Sequence, residues 1–215
     1  MFATAIFIKP DEKRQRLNEL GLNEEVLRGA VLQGHLNRMG LSAQHPKIYL
    51  SLNMWGEIVA ALRSGLRPLG WVAMEENNFP QTVHEKLNLS IVVQSGTKET
   101  GIFPGKDPTC RSKKGWNTEE SVKANFQLSL FEIPNVQIKK QGSKKTIQTW
   151  ILLHYRDVNL QEIRLELSRP LLMEDGKFKK FAERIILNSI PFGDESVEIN
   201  APSGPDIEVD IRRKA

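Results

Sequence analysis

Residues 148–168 read QTWILLHYRDVNLQEIRLELS, and they decide the fold. The last seven, Glu162 to Ser168, alternate strictly, with Ile163, Leu165 and Leu167 on one face. One-sided alternation is the pattern of an antiparallel strand with one wet face. The first nine are apolar on both faces, Ile151, Leu153 and Tyr155 against Trp150 and Leu152. A strand covered on both sides sits at the centre of a sheet, so 148–156 is expected to be central. The five residues between, Asp157 to Gln161, are short enough for a hairpin.

Working outward, further strands are expected at 71–74, 89–94, 126–131, 184–190, 197–200 and 207–212. Asp175-Gly176 supplies a turn signal after Leu172. The first third reads differently. Pro10 suits a helix first turn, with Asp11 and Glu12 at its positive end. Asn23 caps a second helix whose stripe is Val26, Leu27, Ala30, Val31 and Gly34, ending at Gly40. Gly29 and Gly34 weaken that helix or allow close packing. A third helix is expected over 53–64, with Trp55, Ile58, Val59 and Leu62 on one face and Gly65 and Pro68 as stops. A helix-turn-helix reader is disfavoured, because the 40–53 connection contains Pro46 and the third helix carries one basic residue, Arg63.

No repeating βαβ pattern appears, so a doubly wound parallel sheet is not expected. The fold class is α+β: N-terminal helices packed on a mainly antiparallel sheet, with curling into a sandwich or partial barrel as an option. Residues 1–68 form the helical region and 69–215 the β-rich region of one compact unit. The chain has 215 residues, 40% of them hydrophobic, enough for a core without staples. The apolar stretch Phe2 to Ile8 is too short to span a membrane and reads as a first strand or a helix staple. A cytoplasmic protein without membrane contact is expected. A single cysteine, Cys110, precludes an internal disulfide. It reads either as a thiolate activated by Arg111, Lys113 and Lys114 or as an incidental loop thiol.

The charge has an address. Residues 95–145 hold ten Lys and Arg against five Asp and Glu, while the whole chain is only +4. Clustered charge sets up a local field for anions. Within the segment Lys106, Arg111, Lys113 and Lys114 interleave with Trp116, flanked by Phe103 and Phe126. A second cluster, Lys139, Lys140, Lys144 and Lys145, reads as a turn before the central strand. Cations neutralise phosphates and aromatics stack on bases, so these residues are the candidate nucleic-acid contacts. The two loops, 95–119 and 139–145, act together only if they crown one end of one sheet.

Other chemistry has thinner support. His35, His45, His84 and His154 show no metal-ligand spacing, and no cofactor is expected. Gly96, Gly101 and Gly105 match no phosphate-loop motif, and there is no GxSxG elbow. Asp206, Glu208 and Asp210 share one strand face, with Lys214 in the same parity, as a metal-dependent nuclease would want. An exposed charged edge explains them as well. The leading expectation is a non-catalytic nucleic-acid-binding accessory or regulatory protein. The alternatives are an adaptor docking on a larger protein partner and a metal-dependent nuclease.

Overall fold

The computed structural model describes residues 3–131 and 146–193. Their architecture is an open sheet with helices on both faces. Strands β1 (Ala5–Phe7), β2 (Val72–Glu76), β3 (Phe79–His84), β4 (Leu89–Ser95), β5 (Gln148–Asp157), β6 (Glu162–Glu174), β7 (Lys177–Ile186) and β8 (Ile190–Pro191) form it. The order is β1-β7-β6-β5-β4-β3-β2, with β8 paired to the start of β6. Most pairs are antiparallel, but β4–β5 and β1–β7 are parallel. The sheet does not close into a barrel.

Three helices cover one face: α1 (Pro10–Glu19), α2 (Glu24–Met39) and α3 (Lys47–Leu66). Asn23 caps α2 as expected, its Oδ1 accepting the Val26 N–H at 2.8 Å. At Gly34 the backbones of α2 and α3 nearly touch. A Cβ there would lie 2.4 Å from Ile58 Cγ1 and 2.6 Å from the Met54 carbonyl oxygen. Leu17, Leu27, Val31, Ile58 and Leu62 from the helices join Trp150, Leu152, Leu165 and Leu167 from the sheet in one core.

The opposite face is covered by α4 (Trp116–Phe131), which connects β4 to β5 as a βαβ crossover. This corrects the strand expected at 126–131. Phe126, Leu128 and Leu130 alternate with polar residues and imitate period two. The face that is buried is Thr118, Val122, Asn125 and Ser129, a helical stripe mostly of polar residues. Asn125 replaces apolar packing with hydrogen bonds. Its Nδ2 donates to the carbonyls of Thr149 (2.7 Å) and Pro170 (3.0 Å), and its Oδ1 accepts the Thr149 N–H (2.8 Å).

Two element starts and one additional strand also differ from expectation. Helix α3 starts at Lys47, a turn and a half early: Ile48 and Leu52 extend the helical spacing of Trp55, Val59 and Leu62 toward the N-terminus, but they are exposed instead of joining the core. Strand β3 was hidden by Pro80; that end of β3 pairs only with β2, since β4 meets β3 at residues 82–84 alone. Strand β7 starts at Lys177, seven residues before the expected 184. Register shifts around Pro170 and Leu172 of β6 break the two-residue period there, so Phe178 and Phe181 are buried three apart. The expected central strand, both hairpins and the short first strand are present. The strands expected at 197–200 and 207–212 lie outside the described residues.

The polar face of β6 is not wet. Glu166 and Ser168 are fully buried, roofed by the segment that follows β4. That roof builds the site.

Candidate functional site

After Ser95 the chain folds back on itself instead of forming the long solvated loop its glycines suggest. Gly96 pairs with Cys110, the Gly96 N–H reaches the His154 carbonyl at 2.8 Å, and the Thr97 N–H reaches that of Thr109 at 2.9 Å. The anchor below is an ion pair with both side chains fully buried. Arg184 donates to Glu166 at 2.7 Å and also to Asp107 Oδ1 and the Ile102 carbonyl. Glu166 in turn accepts the Gly101 N–H at 2.8 Å. Burial pulls the Arg184 pKa down, but its bonds to Glu166 and the charges of Glu166 and Asp107 outweigh this and raise it. A second anchor is the β6–β7 turn. Lys177 Nζ donates to the carbonyls of Cys110 and Arg111, and the Gly176 carbonyl accepts the Lys114 N–H and the Cys110 thiol. Gly176 has φ +72°, and a Cβ there would meet the Lys114 backbone at 2.9 Å.

The roof thus fixed forms one wall of a cleft at the C-terminal ends of the parallel strands β4 and β5. Open α/β sheets commonly bind ligands at such ends. The cleft has two chambers. One, of about 910 Å³, lies between the first half of α3, the β2–β3 turn and the start of α4. The other, of about 560 Å³, lies between α2, the roof and the end of β5. Ser51, Ser95 and Arg111 line both.

Three expected residues come together here. Arg111 stands at the junction, and Lys114 and Trp116 line the larger chamber. Trp116 is 67% exposed. Lys106 and Lys113 are exposed but line neither chamber. Lys139, Lys140, Lys144 and Lys145 lie outside the described residues, as do Asp206, Glu208, Asp210 and Lys214. Strand β5, which 139–145 precede, begins opposite Leu89, at the other end of β4 from the roof.

Residues not singled out beforehand complete the cleft: Arg38 from α2, Trp55 from α3, Lys98 from the roof, and His154 and Arg156 from β5. Lys98 at least lay within the basic segment. The others carry no local signal, because helix and strand positions gain a shared surface only on folding. Trp55 is fixed by donating to the Val93 carbonyl at 3.1 Å. Among the described residues, the side chains of Lys98, Arg111 and Lys114 have no hydrogen-bond or ion-pair partner, and no carboxylate lines either chamber. The amides of Asn78 and Gln94, in the larger chamber, are also without a partner among them.

The electrostatics agree with concentrated positive charge. Burial, and then repulsion from Arg38, pull Arg156 down to about 10, still fully cationic at neutral pH. Burial, and then Lys114, push His154 down to about 4, so its ring is neutral. Lys114 itself is lowered, first by burial. Ser95 Oγ lies 3.4 Å from His154 Nε2 with no carboxylate orienting the ring, a poor geometry for nucleophilic catalysis. Among the described residues no three His, Cys, Asp or Glu side chains are grouped to hold a metal. Cys110 lies in the segment between β4 and α4 but is fully buried in the second core cluster, so it is not an exposed nucleophile. No helix among the described residues is long and apolar enough to cross a membrane.

No family model, curated protein or solved structure matches the chain.

Proposed function

We propose that this protein is a non-catalytic nucleic-acid-binding factor that takes a single strand into the cleft above β4 and β5. The observation that carries this reading is the set Lys98, Arg111 and Lys114, none with a described hydrogen-bond or ion-pair partner and with no carboxylate lining the cleft, beside the 67% exposed ring of Trp116. Cations of this kind release counterions from a phosphate chain, and an exposed indole is a sequence-tolerant platform for bases. The unpartnered amides of Asn78 and Gln94 have the donor–acceptor pairs that read base edges. Single strands are preferred because the exposed Trp116 ring stacks on bases that a duplex keeps paired and stacked.

The test is fluorescence anisotropy with labelled single- and double-stranded DNA and RNA at two or more salt concentrations. Single-strand affinity is expected to fall with salt with a logarithmic slope of about −2, from about three phosphate contacts. Arg111→Ala lowers the slope by about 0.7, and Trp116→Ala costs about 1–3 kcal/mol without changing it. Absent or salt-insensitive binding overturns the reading.

A second reading, an adaptor for a larger protein, draws on Ile48 (80% exposed) and Leu52 (56%), one turn apart on α3. Here Ile48→Glu/Leu52→Glu abolishes co-purification of a stoichiometric partner and Lys98→Ala does not; lack of such a partner counts against it.

A further inference from the structure

The two chambers differ in chemistry in a way a uniform strand-binding groove would not require. The larger one holds Trp116, Phe79 and the free amides of Asn78 and Gln94. The smaller one holds His154, Lys98 and the guanidinium-bearing Arg38 and Arg156, with no described carboxylate. Arg111 belongs to both. The first is suited to a flat heteroaromatic ring, the second to concentrated negative charge. They are joined at a cation, as a nucleoside and its phosphate are joined at an ester oxygen.

An internal phosphodiester offers one negative charge. A phosphate monoester carries about −1.5 to −2 near neutral pH and three strong acceptor oxygens. Lys98 and Arg111, with Lys114 bordering from the larger chamber, are three cations whose side chains have no hydrogen-bond or ion-pair partner among the described residues, although Glu99, outside both chambers, feels the charge of Lys98. Three such groups complement a dianion better than a diester. The roof that carries Lys98 and Arg111 is anchored by the buried Glu166–Arg184 pair, so these cations are held close before any ligand arrives.

Resting on the nucleic-acid reading above, we propose that the cleft recognises a nucleoside phosphate monoester, its base in the larger chamber and its phosphate in the smaller. The phosphorylated end of a single strand and a free mononucleotide share that chemistry.

Equilibrium titrations on the full chain, followed by Trp fluorescence and calorimetry, separate the sources. The probes are one short single strand with a 5′-phosphate, a 3′-phosphate or hydroxyl ends, a mononucleotide, and inorganic phosphate. A terminal phosphate is expected to tighten strand binding at least tenfold over hydroxyl ends. Lys98→Ala/Arg111→Ala removes that difference. Both side chains are exposed and the Arg111 N–H to Ser95 is untouched, so the fold survives. Trp116→Ala weakens every nucleotide probe but leaves the preference for the phosphorylated end. If the mononucleotide binds as tightly as the phosphorylated strand, the proposal stands with free nucleotide as the source. Equal affinity for phosphorylated and hydroxyl ends overturns it while leaving the strand-binding reading intact. Inorganic phosphate binding as tightly as the mononucleotide overturns it too. Failure of every probe overturns both.

Discussion

Two buried histidines set the response of the molecule to acid. His35 packs against Phe192 at 4.7 Å and is pushed down to about 4 by burial and then by Arg156 and Arg38. His154 is pushed to the same value by burial and then Lys114. In the unfolded chain each ring takes its proton near pH 6.5. The folded rings resist until about pH 4, so the unfolded state binds more protons in this window and stability falls as pH falls. The stability is fully present above about 6.5 and declines toward 4, by on the order of 2–3 kcal/mol per ring. Urea midpoints measured across pH 4–8 should show this decline, and His154→Gln should flatten it by about half. Glu166 matters for a different reason. Glu166→Leu removes the buried carboxylate of Arg184 and leaves it only Asp107 and the Ile102 carbonyl, at an expected cost of up to about 3–5 kcal/mol, whereas Glu166→Leu/Arg184→Met recovers much of it. Full additivity in that double-mutant cycle would show that the pair is not coupled.

At the scale of elements, α4 is held to the sheet by hydrogen bonds where most helices use an apolar stripe. Asn125→Ala leaves the Thr149 N–H and carbonyl short of partners in a buried place. The expected loss is about 2–4 kcal/mol, read as a shift in urea midpoint with m unchanged. The start of α4 carries Trp116, so the same variant should also weaken ligand binding; unchanged affinity would show that the rim is placed by the roof alone. The α2–α3 crossing depends on Gly34 in the opposite sense. Gly34→Ala introduces a methyl into backbone and Ile58, and the overpacking is expected to cost about 1–3 kcal/mol. Gly29 sits on an open face, so Gly29→Ala in the same helix is expected to stabilise by up to about 1 kcal/mol.

On the scale of the whole molecule, helices α1 to α3 and one sheet face share a core running from Leu17 to Ile190. Strand β1 pairs with β7 across most of the sequence, and Thr4 Oγ1 donates to the Phe181 carbonyl at 2.8 Å. Helical and β regions are therefore expected to unfold together. Far- and near-ultraviolet dichroism should give coincident transitions; two separated transitions would show independent units. Deleting residues 1–8 should lower the midpoint of that single transition, because β7 loses its parallel neighbour.

Much of the architecture was legible because local pattern and tertiary role coincide. Trp150, Ile151, Leu152 and Leu153 are apolar on both faces and central for that reason. Asn23 and Asp175-Gly176 announce themselves by backbone chemistry that operates within a few residues. The pattern misled where burial was polar: the Asn125 stripe of α4 and the Glu166 face of β6 look wet in sequence and are dry in the fold. Of the cleft, Arg111, Lys114 and Trp116 could be found because they fall in one charged run. Arg38, Trp55, His154 and Arg156 could not, since each comes from a separate element and meets the others only over the ends of β4 and β5. The sequence alone determined that a basic, aromatic segment follows a buried strand. Only the tertiary structure shows that this segment is a fixed wall, because what fixes it is an ion pair between Glu166 and Arg184, on two adjacent strands far along the chain from it, whose attraction becomes strong only once water has been excluded from around them.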